Sequence, residues 1–180
     1  MKTQKLVLSA MLVALSAVIA MHSPKIPLGM FTATFASHVP TIIAMFISPT
    51  VAALTVVGSV LGFAIALPAM PYVPVRAATH IIFAVVGAIM IQKKARIPVV
   101  ILVTLILHPL AEVLSVNLFE LFFPNIKVPL PRGVSFKNAM EVVVGVGTAI
   151  HHMIDFAISL AILGALSKSK VMKNFTSFRF

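Results

Sequence analysis

The apolar stretch Asn138–Leu166 carries a row of side chains able to do chemistry. Setting each residue about 100° from the last places Glu141, Gly145, Thr148, His152, Asp155 and Ser159 on one narrow stripe. His151 lies beside it, and Val, Ile, Leu and Phe fill the other faces. The stretch exceeds the about 20 residues that a bilayer-spanning helix needs. Each charged group in such a span costs about 2.5–3.5 kcal/mol even on the lenient insertion scale. The stripe must therefore face a protein interior, a cavity or another polar group. Two readings stay open: an interhelical hydrogen-bond network that holds a bundle together, or a site for a ligand or ion.

Two further polar faces lie upstream. Arg76 and His80 stand one helical turn apart on a face continued by Phe83 and Gly87, and Thr104, His108, Glu112 and Ser115 share another. A planar guanidinium suits bidentate capture of a carboxylate. Arg76 could equally pair with Glu112 or Glu141 in a closed salt-bridge network, or snorkel to headgroups. Lys25, Lys127, Arg132 and Lys137 are the other basic residues near that end of the chain's apolar runs. His151-His152 with Asp155, or His108 with Glu112, offers metal-binding groups, but adjacent histidines on a helix point about 100° apart and share one ion poorly. Shared hydrogen bonds or an organic ligand fit better, so no metal and no cofactor is expected. Catalytic motifs are missing: there is no Walker phosphate loop, no His-Glu-x-x-His and no Gly-x-Ser-x-Gly, and Gly145-Val146-Gly147 lies inside an apolar run. The chain does not read as an enzyme.

The elements that must position these residues are membrane helices. Of 180 residues, 60% are hydrophobic and 10% charged, and the mean hydropathy is +1.11. A water-soluble surface cannot accommodate that composition. Residues 1–180 read as a single all-α membrane domain with six spans, near 5–21, 36–49, 50–67, 75–92, 98–123 and 138–166. The first reads as a retained span rather than a cleaved signal. Pro24, Pro27 and Gly29 make His22–Phe35 irregular, a loop that covers something. Pro109 should kink the fifth span near His108. The net charge of +10, 14 basic against four acidic residues, reports topology rather than nucleic-acid binding in a chain of this kind. With both termini in the cytoplasm, nine of the 14 basic residues (Lys2, Lys5, Lys93, Lys94, Arg96, Lys168, Lys170, Lys173, Arg179) lie inside. Arg76, His80, Glu112, Glu120 and Glu141 then lie toward the outside.

Ala10 and Ala14 stand one turn apart on the first span, with Ser9 and Val13 alongside. Small residues at that spacing let another helix approach closely, either within the bundle or from a partner.

In this layout the chain resembles the substrate-binding S components of energy-coupling factor (ECF) vitamin transporters. The matching features are six apolar runs, Ala10-x-x-x-Ala14 and the irregular His22–Phe35 stretch. The segment Ala36-Ser37-His38-Val39-Pro40, followed by Ile43-Ala44-Met45-Phe46-Ile47-Ser48-Pro49, looks like the niacin-type branch. The resemblance implies six helices in the cell membrane with both termini cytoplasmic, and a loop that closes over a small vitamin. It also implies docking through Ala10 and Ala14 on a transmembrane coupling component that works with two ATP-binding subunits. The absence of Trp and the single Tyr72 disfavour a large stacked ring, and an internal Met21-His22 departs from the cobalt and nickel branches. Nicotinate is the expected ligand. Arg76 or Lys25 would hold its carboxylate, and His80, His151 or His152 its ring nitrogen, with Glu112, Glu141 and Thr148 completing the polar wall. The other class of function considered is a stand-alone carrier driven by protons or ions, with the histidines and carboxylates as relay. A third is a structural membrane-assembly protein.

The charge bias makes a topology prediction. In this cysteine-free chain, Ala95→Cys should be protected from an impermeant thiol reagent in intact cells and Ile126→Cys labelled. The reverse pattern would invert the orientation.

Overall fold

The computed structural model describes residues 2–28, 31–126, 129–130, 132–135 and 138–167. Lys127, Lys137, Lys168, Lys170, Lys173 and Arg179 lie outside them, as do the side chains of Lys2, Lys5 and Glu141. Helix α1 covers Lys2–His22 and ends ahead of Pro24. A β-hairpin follows, β1 over Lys25–Leu28 and β2 over Phe31–Thr34, antiparallel with Lys25 opposite Thr34 and Leu28 opposite Phe31. The stretch expected to be an irregular loop is thus a short, regular hairpin within an all-helical fold. Pro27 is compatible because a two-stranded ribbon leaves each strand an outer edge where no ladder N–H is needed.

Helix α2 covers only Val39–Met45. Its seven residues rise about 10 Å, far short of the about 30 Å of a bilayer core. The span expected over 36–49 is instead a short rod whose residues Ser37 to Ser48 are all buried in protein. Pro40 sits in its first turn, and Pro49 opens α3, Pro49–Ala66, where Ser48 Oγ accepts from Val51 N at 3.3 Å. Helices α4, Tyr72–Gln92, and α5, Ile97–Phe122, follow, and α5 continues through Pro109. A π-helical stretch, Ala139–Val146, passes directly into α6, Gly147–Leu166. Along the π stretch each residue turns less than 100°, so the helical wheel that aligned Glu141 with Thr148 does not hold there.

Four helices among the described residues are long and apolar enough to cross a membrane: Pro49–Ala66, Tyr72–Gln92, Ile97–Phe122 and Val142–Leu166, with a shorter apolar helix over Leu6–His22. The molecule is a multi-pass membrane protein. Helix α2 packs against α1, α3, α4 and α6. One apolar cluster forms around it, including Ile42, Met45, Phe46, Phe83 and Phe156. A second cluster gathers Phe31, Phe63, Tyr72, Val116, Phe119 and Val144. The buried charged residues and histidines described, Arg76, His80, His108, Glu112, His152, Asp155 and His38, lie where α4, α5, α6 and the start of α2 meet.

Helix α1 is bound to α3 through glycine. A Cβ at Gly58 would strike Val13 O, and one at Gly62 would strike Ala17 O. Ser16 Oγ donates to Thr55 O at 2.7 Å across the same seam. The face of α1 used inside is therefore Leu12, Ser16 and Ala20, while Ala10 and Ala14 are exposed together with Leu6, Val7, Met11 and Leu15. Internal packing does not account for that small-residue pair. Gly62→Leu should overpack the seam and cost about 1–3 kcal/mol, read as a lower thermal midpoint in detergent. Ala14→Leu should stay within about 0.5 kcal/mol of the parent.

Candidate functional site

Intervals of four residues build the site. Arg76 and His80 lie one turn apart on α4, His108 and Glu112 on α5, and Thr148 and His152, like His151 and Asp155, on α6. Buried inward faces are the only ones these polar groups can occupy between apolar helices. All are buried except His151, which is partly so.

Glu112 is the point of convergence. Arg76 Nη2 donates to its Oε2 at 2.5 Å and Thr148 Oγ1 donates to the same oxygen at 2.6 Å. His80 Nε2 lies 2.9 Å from Oε1, and His108 Nε2 lies 3.4 Å from it. This is the closed salt-bridge network that Arg76 and Glu112 allow. Arg76 also stands over the Phe31 ring at 5.1 Å, so the hairpin seats on the guanidinium. Phe31 rests on α6 at Gly147, where a Cβ would crowd Phe31 Cε1 at 3.1 Å.

A second centre forms around Asp155. Its Oδ2 accepts from His38 N at 3.0 Å and lies 3.0 Å from His38 Nδ1 and 3.4 Å from His151 Nε2. Ser37 Oγ is 3.2 Å from His151 Nε2. His152 points the other way, 3.1 Å from Thr104 Oγ1 and 3.1 Å from His108 Nδ1. The adjacent histidines therefore diverge, as their positions on a helix require.

Between these centres lies a cavity of about 20 Å³ walled by Phe31, Thr32, Ser37, His38, Phe63, Val73, Arg76, Ala77, His80, Glu112, Thr148 and His151. That is room on the scale of a water or two, and an aromatic ligand must displace part of the wall. Beside it, between the hairpin and α6, is a larger apolar groove of about 570 Å³ that shares Phe31 and His151 with the cavity.

Of the expected site residues, Arg76, His80, Glu112, Thr148 and His151 meet at this cavity. His152 stands behind His108, off the wall. Lys25 is turned away: its Nζ donates to Met21 O at 3.1 Å and Ser23 O at 3.3 Å at the end of α1, and partial burial lowers its pKa from the usual lysine value. Glu141's side chain lies outside the described part. His38, Ser37 and Phe31 on the wall and Asp155 behind it were not among the expected site residues. Asp155 was on the polar stripe and His38 in the Ser37-His38-Val39-Pro40 segment, so a signal existed for both; for Phe31 it was only its place in the covering stretch His22–Phe35.

Removing one partner of the central pair takes the nearest opposite charge from a group that stays buried. Arg76→Ala and Glu112→Ala should each cost about 3–5 kcal/mol of stability, measured as loss of the thermal midpoint. The double replacement should recover part of that loss.

No family model matches the chain, and no solved structure matches it. The niacin transporter NiaX of Lactococcus lactis subsp. cremoris is 34% identical to it over 177 residues, covering 93% of this chain and 77% of the relative. With that identity over nearly its whole length, the chain belongs to the family of the niacin transporter NiaX, the niacin-type branch that its sequence resembles.

Proposed function

We propose that the protein binds niacin, as nicotinate, within the membrane and serves its uptake into the cell as the S component of an ECF transporter. The observation that carries this reading is the family relationship to a niacin transporter, together with a buried arginine in a histidine-lined cavity. Arg76 takes the ligand's carboxylate as a charge-assisted hydrogen bond shielded from water. Its guanidinium fork has five donors, so the ligand joins or displaces Glu112. The ring nitrogen falls to His80 or His151, the two expected histidines on the cavity wall. A ring enters by lifting the hairpin, which withdraws Phe31 from Arg76 and from Gly147.

Transport then depends on subunits outside this chain: a transmembrane coupling component that docks on the exposed Ala10 and Ala14, and two ATP-binding subunits. This chain supplies no catalysis. It resides in the cell membrane with both termini cytoplasmic. The carrier reading draws on one observation, two polar rows, His151–Asp155–His38 and His80–Glu112–His108–His152, brought side by side where the His38 and His80 rings touch, which have the make-up of a proton relay. Uptake driven by a pH gradient without ATP would favour it.

The test is binding by the purified chain. Nicotinate should bind more tightly than nicotinamide, which lacks the negative charge. Arg76→Ala in a Glu112→Gln background, which removes the buried unpaired carboxylate, should weaken nicotinate by about 2–5 kcal/mol while the protein remains folded by thermal melt. Equal affinity for the two compounds would sink the arginine clamp, and no binding of either would sink the niacin assignment.

A further inference from the structure

His38 at the mouth of α2, His80 on α4 and His108 on α5 form a triangle that the nicotinate reading does not explain. The three ring centroids are each 4.6 Å from the other two, and the planes meet edge to face at 73°, 79° and 83°. One ring nitrogen from each lies within 4.8 Å of the others, and all three residues are buried.

The hydrogen bonds around the triangle allow an arrangement of ring hydrogens in which each of the three rings keeps one bare nitrogen. Thr104 Oγ1 donates to Val100 O at 2.9 Å or Ile101 O at 3.2 Å, so towards His152 Nε2 at 3.1 Å it accepts. His152 then carries its hydrogen on Nε2 and presents a lone pair at Nδ1. In that arrangement His108 Nδ1, 3.1 Å away, donates, which leaves His108 Nε2 as a bare lone pair. His38 Nδ1 donates to Asp155 Oδ2, so His38 Nε2 is bare as well. His80 donates through Nε2 to Glu112 Oε1, which leaves Nδ1. His38 Nε2 and His108 Nε2 are indeed buried with no hydrogen-bond partner among the described residues. A buried polar atom left without a partner is costly. His108 Nε2 further faces Glu112 Oε1 at 3.4 Å, acceptor against acceptor.

We propose that His38, His80 and His108 bind a divalent transition-metal ion of the zinc class, with an open coordination position facing the cavity. Neutral imidazoles whose other nitrogen is bonded to a carboxylate or a further acceptor are the usual donors to such ions. Asp155 behind His38 and Glu112 behind His80 are those carboxylates. Zinc–nitrogen bonds of about 2.0–2.1 Å put tetrahedral ligands about 3.3–3.4 Å apart, so on binding the ring nitrogens draw in from separations of up to 4.8 Å. Charge agrees: with neutral histidines, Arg76 against Glu112 and Asp155 sums to +1 − 2 = −1 among these buried side chains, and a dication reverses the sign to suit an anionic ligand. The site stands on these side chains and not on the identity of the ligand.

The test uses the full chain in detergent, free of any affinity tag and stripped with chelator, titrated with Zn²⁺ or Co²⁺ and no vitamin present. One ion per chain should bind, and Co²⁺ should give visible ligand-field absorption. His38→Ala and His108→Ala should each lose Zn²⁺ binding, and Asp155→Asn should weaken it about 10–100-fold, with fold checked by helical circular dichroism. No stoichiometric binding by the unmutated chain overturns the site whatever the variants do. So does binding unchanged in a folded His38→Ala or His108→Ala protein.

Discussion

A carboxylate buried at the crossing of three long helices sets the frame of this molecule. Glu112 on α5 is held by Arg76 and His80 of α4 and by Thr148 of α6. Lipid tails are as apolar as leucine, so apolar packing alone gives membrane helices little reason to choose one register over another. A charge with directional partners does give one. Sliding α5 by a turn would strip Glu112 of its guanidinium and leave two charges in hydrocarbon, which is far costlier than rearranging methyl groups. The two apolar clusters lie around this point and take their alignment from it.

Asp155 performs the corresponding task for the part of the chain that is not a spanning helix. It binds both the backbone N–H and the ring of His38, and so pins the turn that leads from the hairpin into α2. Ala36 in that turn has φ 60°, a left-handed conformation uncommon for a residue with a Cβ. Such a conformation persists where its surroundings over-determine it, and the Asp155 anchor two residues on does so. Position and chemistry are therefore linked, since the residue that fixes the turn also fixes the tautomer of the histidine on the cavity wall.

Much of this arrangement was legible in the sequence because helical periodicity survives in membrane proteins. Thr148, His152, Asp155 and Ser159 share a stripe by spacing and are all buried, and the same holds for Arg76 with His80 and for Thr104, His108, Glu112 and Ser115. Polar residues that must hide from lipid mark the inner face more sharply than apolar ones do. Other features left weaker traces. An apolar run such as Val39–Ser48 has the same composition whether lipid or protein surrounds it, so a short interior rod passed for a span. Strands of four residues carrying a proline give too few alternations to register as a hairpin. His38 stands at a helix start, without companions at helical spacing, so no stripe pointed to it.

The hairpin, finally, bears on rates. Two strands of four residues are marginal alone in water, so the hairpin depends on its packing against the helices, where Phe31 lies between Arg76 and the bare backbone of Gly147. That ring also stands between the polar cavity and the apolar groove beside α6. A single side chain is a small barrier, quick to clear while nothing lies behind it. Once an aromatic ligand adds its own contact to the same ring, the barrier to leaving grows while that to arriving does not. Residence time, more than encounter rate, is then the quantity that this position of the chain tunes.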